Sequence, residues 1–196
     1  MGKTSIVLCG VGGQGVITAT NILGKAAVDA EMMVYASEVH GMAQRGGSVY
    51  CTVRIGEVSS PLIASGTADA IISTEPVEAL RYIKYANKKT FVVTDSNPVV
   101  PFTVAVGGED YPAIQEVYDE LSSLGQLTVI DAYGIAKRVG AVITKNIVLL
   151  GALAATGILP FESDVLLETI IRNVPKKYQG VNEQAFRSGM QAFLKK

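Results

Sequence analysis

The sequence is poor in the residues that hold redox metals. It contains two cysteines, Cys9 and Cys51, and one histidine, His40. The cysteines lie far apart and form no C-x-x-C pair. They cannot supply the four thiolates of an iron–sulfur cluster, and with a single histidine they cannot assemble a standard zinc site. Each falls inside an expected strand, which points to reduced, buried core residues. An excess of charge is also missing: 17 Lys and Arg against 18 Asp and Glu leave a net charge of −1. There is thus no electrostatic case for nucleic acid or an anionic membrane surface. No apolar run is long enough to span a bilayer, because the most hydrophobic stretch, Ile147 to Leu159, is short and broken by Gly151 and Gly157. Met1-Gly2-Lys3 leads straight into a short strand rather than a signal-peptide core, so a cytoplasmic location is expected.

What is present reads as one α/β domain covering residues 1–196, large enough for a core of its own. Ser5 to Cys9 is a first strand, and Val16, Ala19, Leu23, Ala26, Ala27 and Ala30 then recur at helical spacing. Met32 to Ala36 is a second strand, expected to run parallel to the first. Residues 37–47 read as a surface loop at the carboxyl ends of the strands. From Ser48 the period changes to two, with Val49, Cys51, Val53 and Ile55 alternating with Tyr50, Thr52 and Arg54. The turn Gly56-Glu57 and a return along Val58 to Ile63 predict an inserted hairpin, with Pro61 marking an edge.

Ala68 to Ser73 is a buried strand, followed by a helix from Glu75 through Tyr85 with Pro76 in its first turn. Thr90 to Thr94 is a strand ending in the turn cluster Asp95-Ser96-Asn97-Pro98. A further strand is expected over Phe102 to Val106, a helix over Tyr111 to Leu124, a strand over Gln126 to Ile130 and a short helix over Ile135 to Val139. Lys145 to Thr156 is a nearly all-apolar helix that must be buried inside the domain or against another chain, which leaves a homo-oligomer of the isolated chain open. Two C-terminal helices follow, with Ser163 and Asn182 as caps and Pro175 between them. The expected fold is Rossmann-like, a mainly parallel sheet with helices on both faces, an inserted β-hairpin and a helical C-terminus.

Two stretches carry the chemistry. In the first, Gly10, Gly12 and Gly15 take the G-x-G-x-x-G spacing between strand and helix, with Gly13 and Gln14 inside the turn. Such a turn lets backbone N–H groups face an anion at the helix N-terminus. A dinucleotide site would also need an acid at the tip of the second strand. Glu38 is the best candidate, but it stands late, because the expected positions hold Tyr35, Ala36 and Ser37. The residues leave three readings open: a dinucleotide site, a surface for another anion or a partner chain, and glycines that merely let helix and strand pack closely. In the second stretch, His40, the one side chain that titrates near neutral pH, stands beside Glu38 and Arg45, with Gly41, Gly46 and Gly47 making room. These groups could orient a carboxylate or phosphate. Equally, Arg45 could pair with Glu38 while His40 bonds the backbone.

Taken together, Gly10-Val11-Gly12-Gly13-Gln14-Gly15-Val16 and the run from Ser37-Glu38-Val39-His40 through Arg45-Gly46-Gly47-Ser48-Val49 resemble the gamma-type subunit of the 2-oxoacid:ferredoxin oxidoreductases. Ser60-Pro61-Leu62-Ile63, Gly66-Thr67-Ala68-Asp69 and Glu75-Pro76-Val77-Glu78-Ala79-Leu80-Arg81 extend the likeness. The pyruvate and 2-oxoglutarate relatives carry a Tyr-Gly-Pro-Glu-like stretch before Arg-Gly-Gly. His40-Gly41-Met42-Ala43-Gln44 stands there instead, which favours the aryl-pyruvate (indolepyruvate) branch.

The resemblance implies oxidative decarboxylation of a 2-oxoacid to an acyl-coenzyme A, with electrons passed to ferredoxin. That chemistry uses thiamine diphosphate with Mg, and iron–sulfur clusters. The chain has no Gly-Asp-Gly metal–diphosphate motif and too few cysteines, so it is expected to bind none of these alone and to work with a large catalytic subunit that carries them. His40 and Arg45 are then the candidate active-site residues. Gly10, Gly12, Gly13, Gln14, Gly15, Glu38, Gly46 and Gly47 form loops that face the partner or an anion such as the coenzyme A diphosphate. The rival readings are a stand-alone NAD-binding Rossmann dehydrogenase and a non-catalytic structural subunit.

Overall fold

A computed structural model describes residues 2–40, 46–99 and 110–195. Six strands form one sheet: β1 (Thr4–Val11), β2 (Val34–His40), β3 (Ser48–Ile55), β4 (Ala70–Ser73), β5 (Phe91–Asp95) and β6 (Gln126–Ile130), in the order β2-β3-β1-β4-β5-β6. The pairs β1–β4, β4–β5 and β5–β6 are parallel, whereas β3 runs antiparallel to both β1 and β2. The helices are α1 (Val16–Asp29), α2 (Pro76–Arg81), α3 (Ile114–Leu124), α4 (Ala132–Arg138), α5 (Lys145–Ala155), α6 (Ser163–Arg172) and α7 (Gln179–Leu194). Among the described residues, no helix is long and apolar enough to cross a membrane.

The period of two sorts the central strands between two cores. Ile6 and Leu8 of β1, with Cys51 and Val53 of β3, face α1 and α4 to α7, while Val7 and Cys9 face α2 and α3. The expectation of helices on both faces therefore holds. Both cysteines are free and buried. Since α1 leaves β1 over one face and α2 leaves β4 over the other, the connections diverge between β1 and β4. The crevice outside the carboxyl ends of an α/β sheet is the place where such folds take ligands.

Four expectations are corrected: the partner of β3, the loop over residues 37–40, and the Asn182 and Ser163 caps. The hairpin partner of β3 is β2, not Val58 to Ile63. Residues 37–40 belong to β2, because Ser37 pairs with Thr52 and Glu38 with Cys51. With both edges of β3 occupied, its backbone has no groups left for a third ladder, and Pro61 could not donate to one. Residues 58–63 instead cross the face of β3, where Thr52 Oγ1 donates to Pro61 O at 2.8 Å and Arg54 donates to Ser60 O at 2.9 Å and Leu62 O at 3.0 Å. The second strand does run in the direction of the first, but β3 lies between them. The last helix starts at Gln179, so Asn182 sits inside it, buried, donating to Tyr178 O at 2.8 Å. Ser163 is likewise the first helical residue, and Glu162 holds the cap position. The strand expected over Phe102 to Val106 lies outside the described residues.

Helix α5 needs no second chain to cover it. Ile147 through Leu153 are all buried, against α1, α4, α6 and α7. Each large apolar side chain so buried contributes about 1.5–3 kcal/mol. α5 and α7 approach until backbone meets backbone: a Cβ on Gly189 would lie 1.9 Å from Val148 O, and one on Gly151 would lie 2.1 Å from Phe186 O. Gly189→Ala is therefore expected to push the two helices apart and to lower stability by about 1–3 kcal/mol. Urea denaturation followed by circular dichroism checks this, and an unchanged midpoint would contradict so close a crossing.

Candidate functional site

The carboxyl ends of three neighbouring strands meet at one ammonium group. Lys145 Nζ, at the first residue of α5, lies 3.2 Å from Asp95 Oδ2 at the end of β5 and donates to Thr74 O, just past β4, at 3.1 Å. It also donates to Gln14 Oε1, in the turn after β1, at 3.3 Å. The lysine side chain is 11% exposed and that of Asp95 0%. Asp95 Oδ1 in turn accepts from Ala132 N at 3.1 Å and from Asn97 Nδ2 at 3.1 Å, so the start of α4 joins the same cluster. A charge this deep must be paired and hydrogen-bonded to be tolerated. Asp131, beside it, caps α4. Partial burial pulls its carboxyl up, but the Gly134 N–H, the Asn97 amide and the Arg138 guanidinium outweigh that and hold it below the usual range.

The glycine turn is gripped from α5. Asn146 Nδ2 donates to Gln14 O at 2.6 Å, and Gly15 caps α1 at a φ of 77°. That conformation suits glycine, and a Cβ there would stand 2.4 Å from Asn146 Nδ2. The turn also bonds the second stretch: Gly12 N donates to Gly47 O at 2.7 Å and Gly46 N to Gly12 O at 3.2 Å. Beside this junction opens a cleft of about 710 Å³, lined among others by Gly13, Gln14, Thr18, Asn97, Tyr133 and Ile143. Ile143 is 89% exposed at its rim.

On the opposite face, two carboxylates are buried on α2 and its cap. Glu75 caps α2 by accepting from Glu78 N at 2.8 Å, and it accepts from the Tyr111 hydroxyl. Burial pushes its carboxyl above the usual range, against the lowering effect of the Tyr111 and backbone hydrogen bonds. Glu78 accepts from the Ser48 hydroxyl and pairs with Arg81 Nε at 3.2 Å, and Ser48 Oγ lies 2.8 Å from the Tyr82 hydroxyl.

The residues singled out in the sequence are only partly brought together. Gly10, Gly12, Gly13, Gln14, Gly15, Gly46 and Gly47 form one junction. His40 ends β2 opposite Val49, which also pairs with Gly10, so the His40 backbone stands level with the glycine turn about 10 Å across the sheet. Arg45 lies outside the described residues, as do Gly41 to Gln44. Glu38 pairs with Cys51, and the whole of β3 separates it from β1. The acid of a dinucleotide site belongs at the tip of a strand beside the glycine turn, and that arrangement is not built. Asp95, Lys145, Asn146, Glu75 and Glu78 were not expected as site residues. For Asp95 and Lys145 the one sequence signal is a charge at the very end of an apolar run, where Asp95 closes a strand and Lys145 opens a helix.

The donor set does not fit an iron–sulfur cluster. Cys9 Sγ donates to Glu78 O at 3.5 Å, and burial pushes both thiols up, so neither is a ready thiolate. Their side chains face opposite cores. Among the described residues no group of three or more His, Cys, Asp or Glu could hold a metal.

This fold, with an antiparallel strand beside β1, is similar to that of the gamma subunit of keto/oxoacid ferredoxin oxidoreductase from Geobacter sulfurreducens. The TM-score is 0.73 at 24% identity, covering 98% of this chain and 99% of that one. The sequence signature described as pyruvate ferredoxin/flavodoxin oxidoreductase matches residues 5–192, and the chain belongs to that family. Indolepyruvate oxidoreductase subunit IorB of Pyrococcus horikoshii is 44% identical over 98% of this chain and 96% of its own. The subunit of the same name from Thermococcus kodakarensis is 43% identical with the same coverage.

Two outcomes follow from the buried charges. Lys145→Met strands Asp95 and is expected to cost about 3–5 kcal/mol, part of which Lys145→Met/Asp95→Asn recovers; denaturant titration of the three proteins measures it. Glu75 has a raised folded-state pKa, so its contribution to stability is full below the ordinary glutamate range and is lost as pH rises through the raised value. Urea titrations between pH 4 and pH 7 should therefore show Glu75→Gln gaining on the wild type with rising pH, and a parallel pair of curves would refute the burial argument.

Proposed function

We propose that the chain works as one gamma-type domain over residues 1–196, as the small subunit of a cytoplasmic indolepyruvate-type 2-oxoacid:ferredoxin oxidoreductase. The complex would convert an aryl pyruvate to its acyl-coenzyme A and carbon dioxide and pass the electrons to ferredoxin. The observation that carries this reading is likeness to indolepyruvate oxidoreductase subunits along nearly the whole chain. Thiamine diphosphate, Mg and the clusters are assigned to the large subunit, because two buried cysteines leave this chain no means of holding a cluster.

This chain's own task is to close the site from the side. Its glycine junction and cleft occupy the carboxyl edge of the sheet, and the backbone N–H groups of a helix N-terminus suit an anionic substrate or the coenzyme A diphosphate there. Arg45 is assigned to an anion or carboxylate contact, and His40 to a polar contact near the oxoacid. The position of Glu38 behind β3 speaks against the nicotinamide alternative.

Titrating the chain into its large subunit, with oxoacid-dependent ferredoxin reduction as the readout, tests the proposal. Neither component should turn over alone, and indolepyruvate should be preferred to pyruvate and 2-oxoglutarate. Arg45→Ala should lower kcat/KM about 10- to 100-fold, the worth of a charged hydrogen bond. Turnover by the large subunit without this chain would leave it a structural accessory, as would unchanged rates with Arg45→Ala and His40→Ala.

A further inference from the structure

The junction between the two glycine stretches has almost no side chains by which to be held. Among the described residues, Gly12 on one side meets Gly46 and Gly47 on the other through backbone hydrogen bonds. Rigidity must therefore come from the first residues beyond the glycines that do have side chains. On the β1 side that residue is Gln14, held by Lys145 and Asn146. On the β3 side it is Ser48, paired with Val11 in the sheet and half-buried.

Among the described residues the Ser48 hydroxyl has two partners, and both come from α2 or the residue just after it: it donates to Glu78, and the Tyr82 hydroxyl lies 2.8 Å away. Both partners are themselves fixed. Glu78 is 2% exposed, with its backbone N–H on Glu75 and its other carboxylate oxygen on Arg81. The Tyr82 ring packs on Tyr50 with centroids 4.4 Å apart. A carboxylate buried to this degree is a poor means of gaining stability, and its charged partner Arg81, 53% exposed, would keep its hydration if an apolar side chain stood at residue 78. What the carboxylate does supply is a directional anchor.

We propose that Glu78 and Ser48 are positioning residues: the Ser48–Glu78 hydrogen bond fixes the Gly12–Gly47 junction and so sets the aim of the glycine turn toward the reaction. The inference rests on the proposed role of this edge in closing the active site. Neither residue touches substrate. Both act through the backbone of Gly46 and Gly47, and a displacement of about 1 Å at such a place can cost up to about a hundredfold in rate.

The test uses the complete complex with indolepyruvate as substrate and three variants, Ser48→Ala, Ser48→Thr and Glu78→Leu. Ser48→Ala and Glu78→Leu should lower kcat about tenfold while the oxoacid KM stays within about threefold and the large subunit is bound as tightly as before. Ser48→Thr, which keeps the hydroxyl, should retain wild-type kcat within about twofold. The melting temperature of Glu78→Leu should be unchanged or higher, so that stability and rate move apart, which a merely structural role would not produce. The double variant Ser48→Ala/Glu78→Leu should be no slower than either single one, because both break the same bond.

Unchanged kcat in Ser48→Ala and Glu78→Leu would overturn the proposal. So would a loss that merely follows weaker assembly or a lower melting temperature. If Glu78→Leu does not fold, the Ser48 pair decides the matter by itself. Wild-type turnover that does not depend on this chain overturns the underlying reading as well. Dependence on the chain with unaffected variants overturns the positioning role alone.

Discussion

The structure turns on the burial of one ammonium group. Lys145 reaches from the start of α5 to the ends of β1, β4 and β5, and Asp95 passes its charge on to the start of α4. A charge in so dry a place is costly unless every partner is in position. The sheet edge and the first turns of two helices are thereby locked to a common geometry. The apolar bulk of α5 puts the lysine there: Ile147 to Leu153 are buried on every side, so the helix has one seat, and its first residue has one direction to point.

That lock compensates for a weakness built into the site. A sheet edge made of glycines allows close approach, but it sacrifices the side-chain contacts that usually hold a loop. The molecule brackets the bare backbone with polar residues gripped from opposite sides of the sheet. Gln14 is held by Lys145 and Asn146, and Ser48 by Glu78 and Tyr82. The buried carboxylates Glu75, Glu78 and Asp95 lie at or beside these brackets, whereas the interiors of both cores are mainly aliphatic.

The antiparallel strand β3 redirects what looks like a nucleotide-binding unit. The strand–glycine turn–helix of residues 4–29 has the local form of a dinucleotide fold, yet β2 is displaced by one strand and takes Glu38 with it. The backbone next to the turn is that of Gly46 and Gly47, which spends the Gly12 N–H on a chain contact rather than on a pyrophosphate. A binding motif becomes a junction between two parts of the same chain, as suits a subunit whose reaction is completed by another molecule.

How much of this was legible in the sequence follows from the range of the interactions. Strands and helices were readable wherever apolar residues repeat with a single period, as in Ser5 to Cys9, Val16 to Ala27 and Lys145 to Thr156, because burial of one face is a local demand. The two stretches at Gly10–Gly15 and Ser37–Val49 could be recognised because their spacing is fixed by backbone geometry. The partner of β3 could not be read, since residues 34–40 and 58–63 both supply short runs that could pair, and only the closing of the sheet decides which edge is filled. Asp95, Lys145 and Glu75 looked like ordinary charged residues at the ends of elements, and Glu78 like one on a helix surface. Sequence by itself determined the alternation of elements, the glycine turn and the shortage of metal ligands. Tertiary structure alone decided which charges are buried and what they hold, because the cost of burying a charge is set by the company that distant segments bring to it.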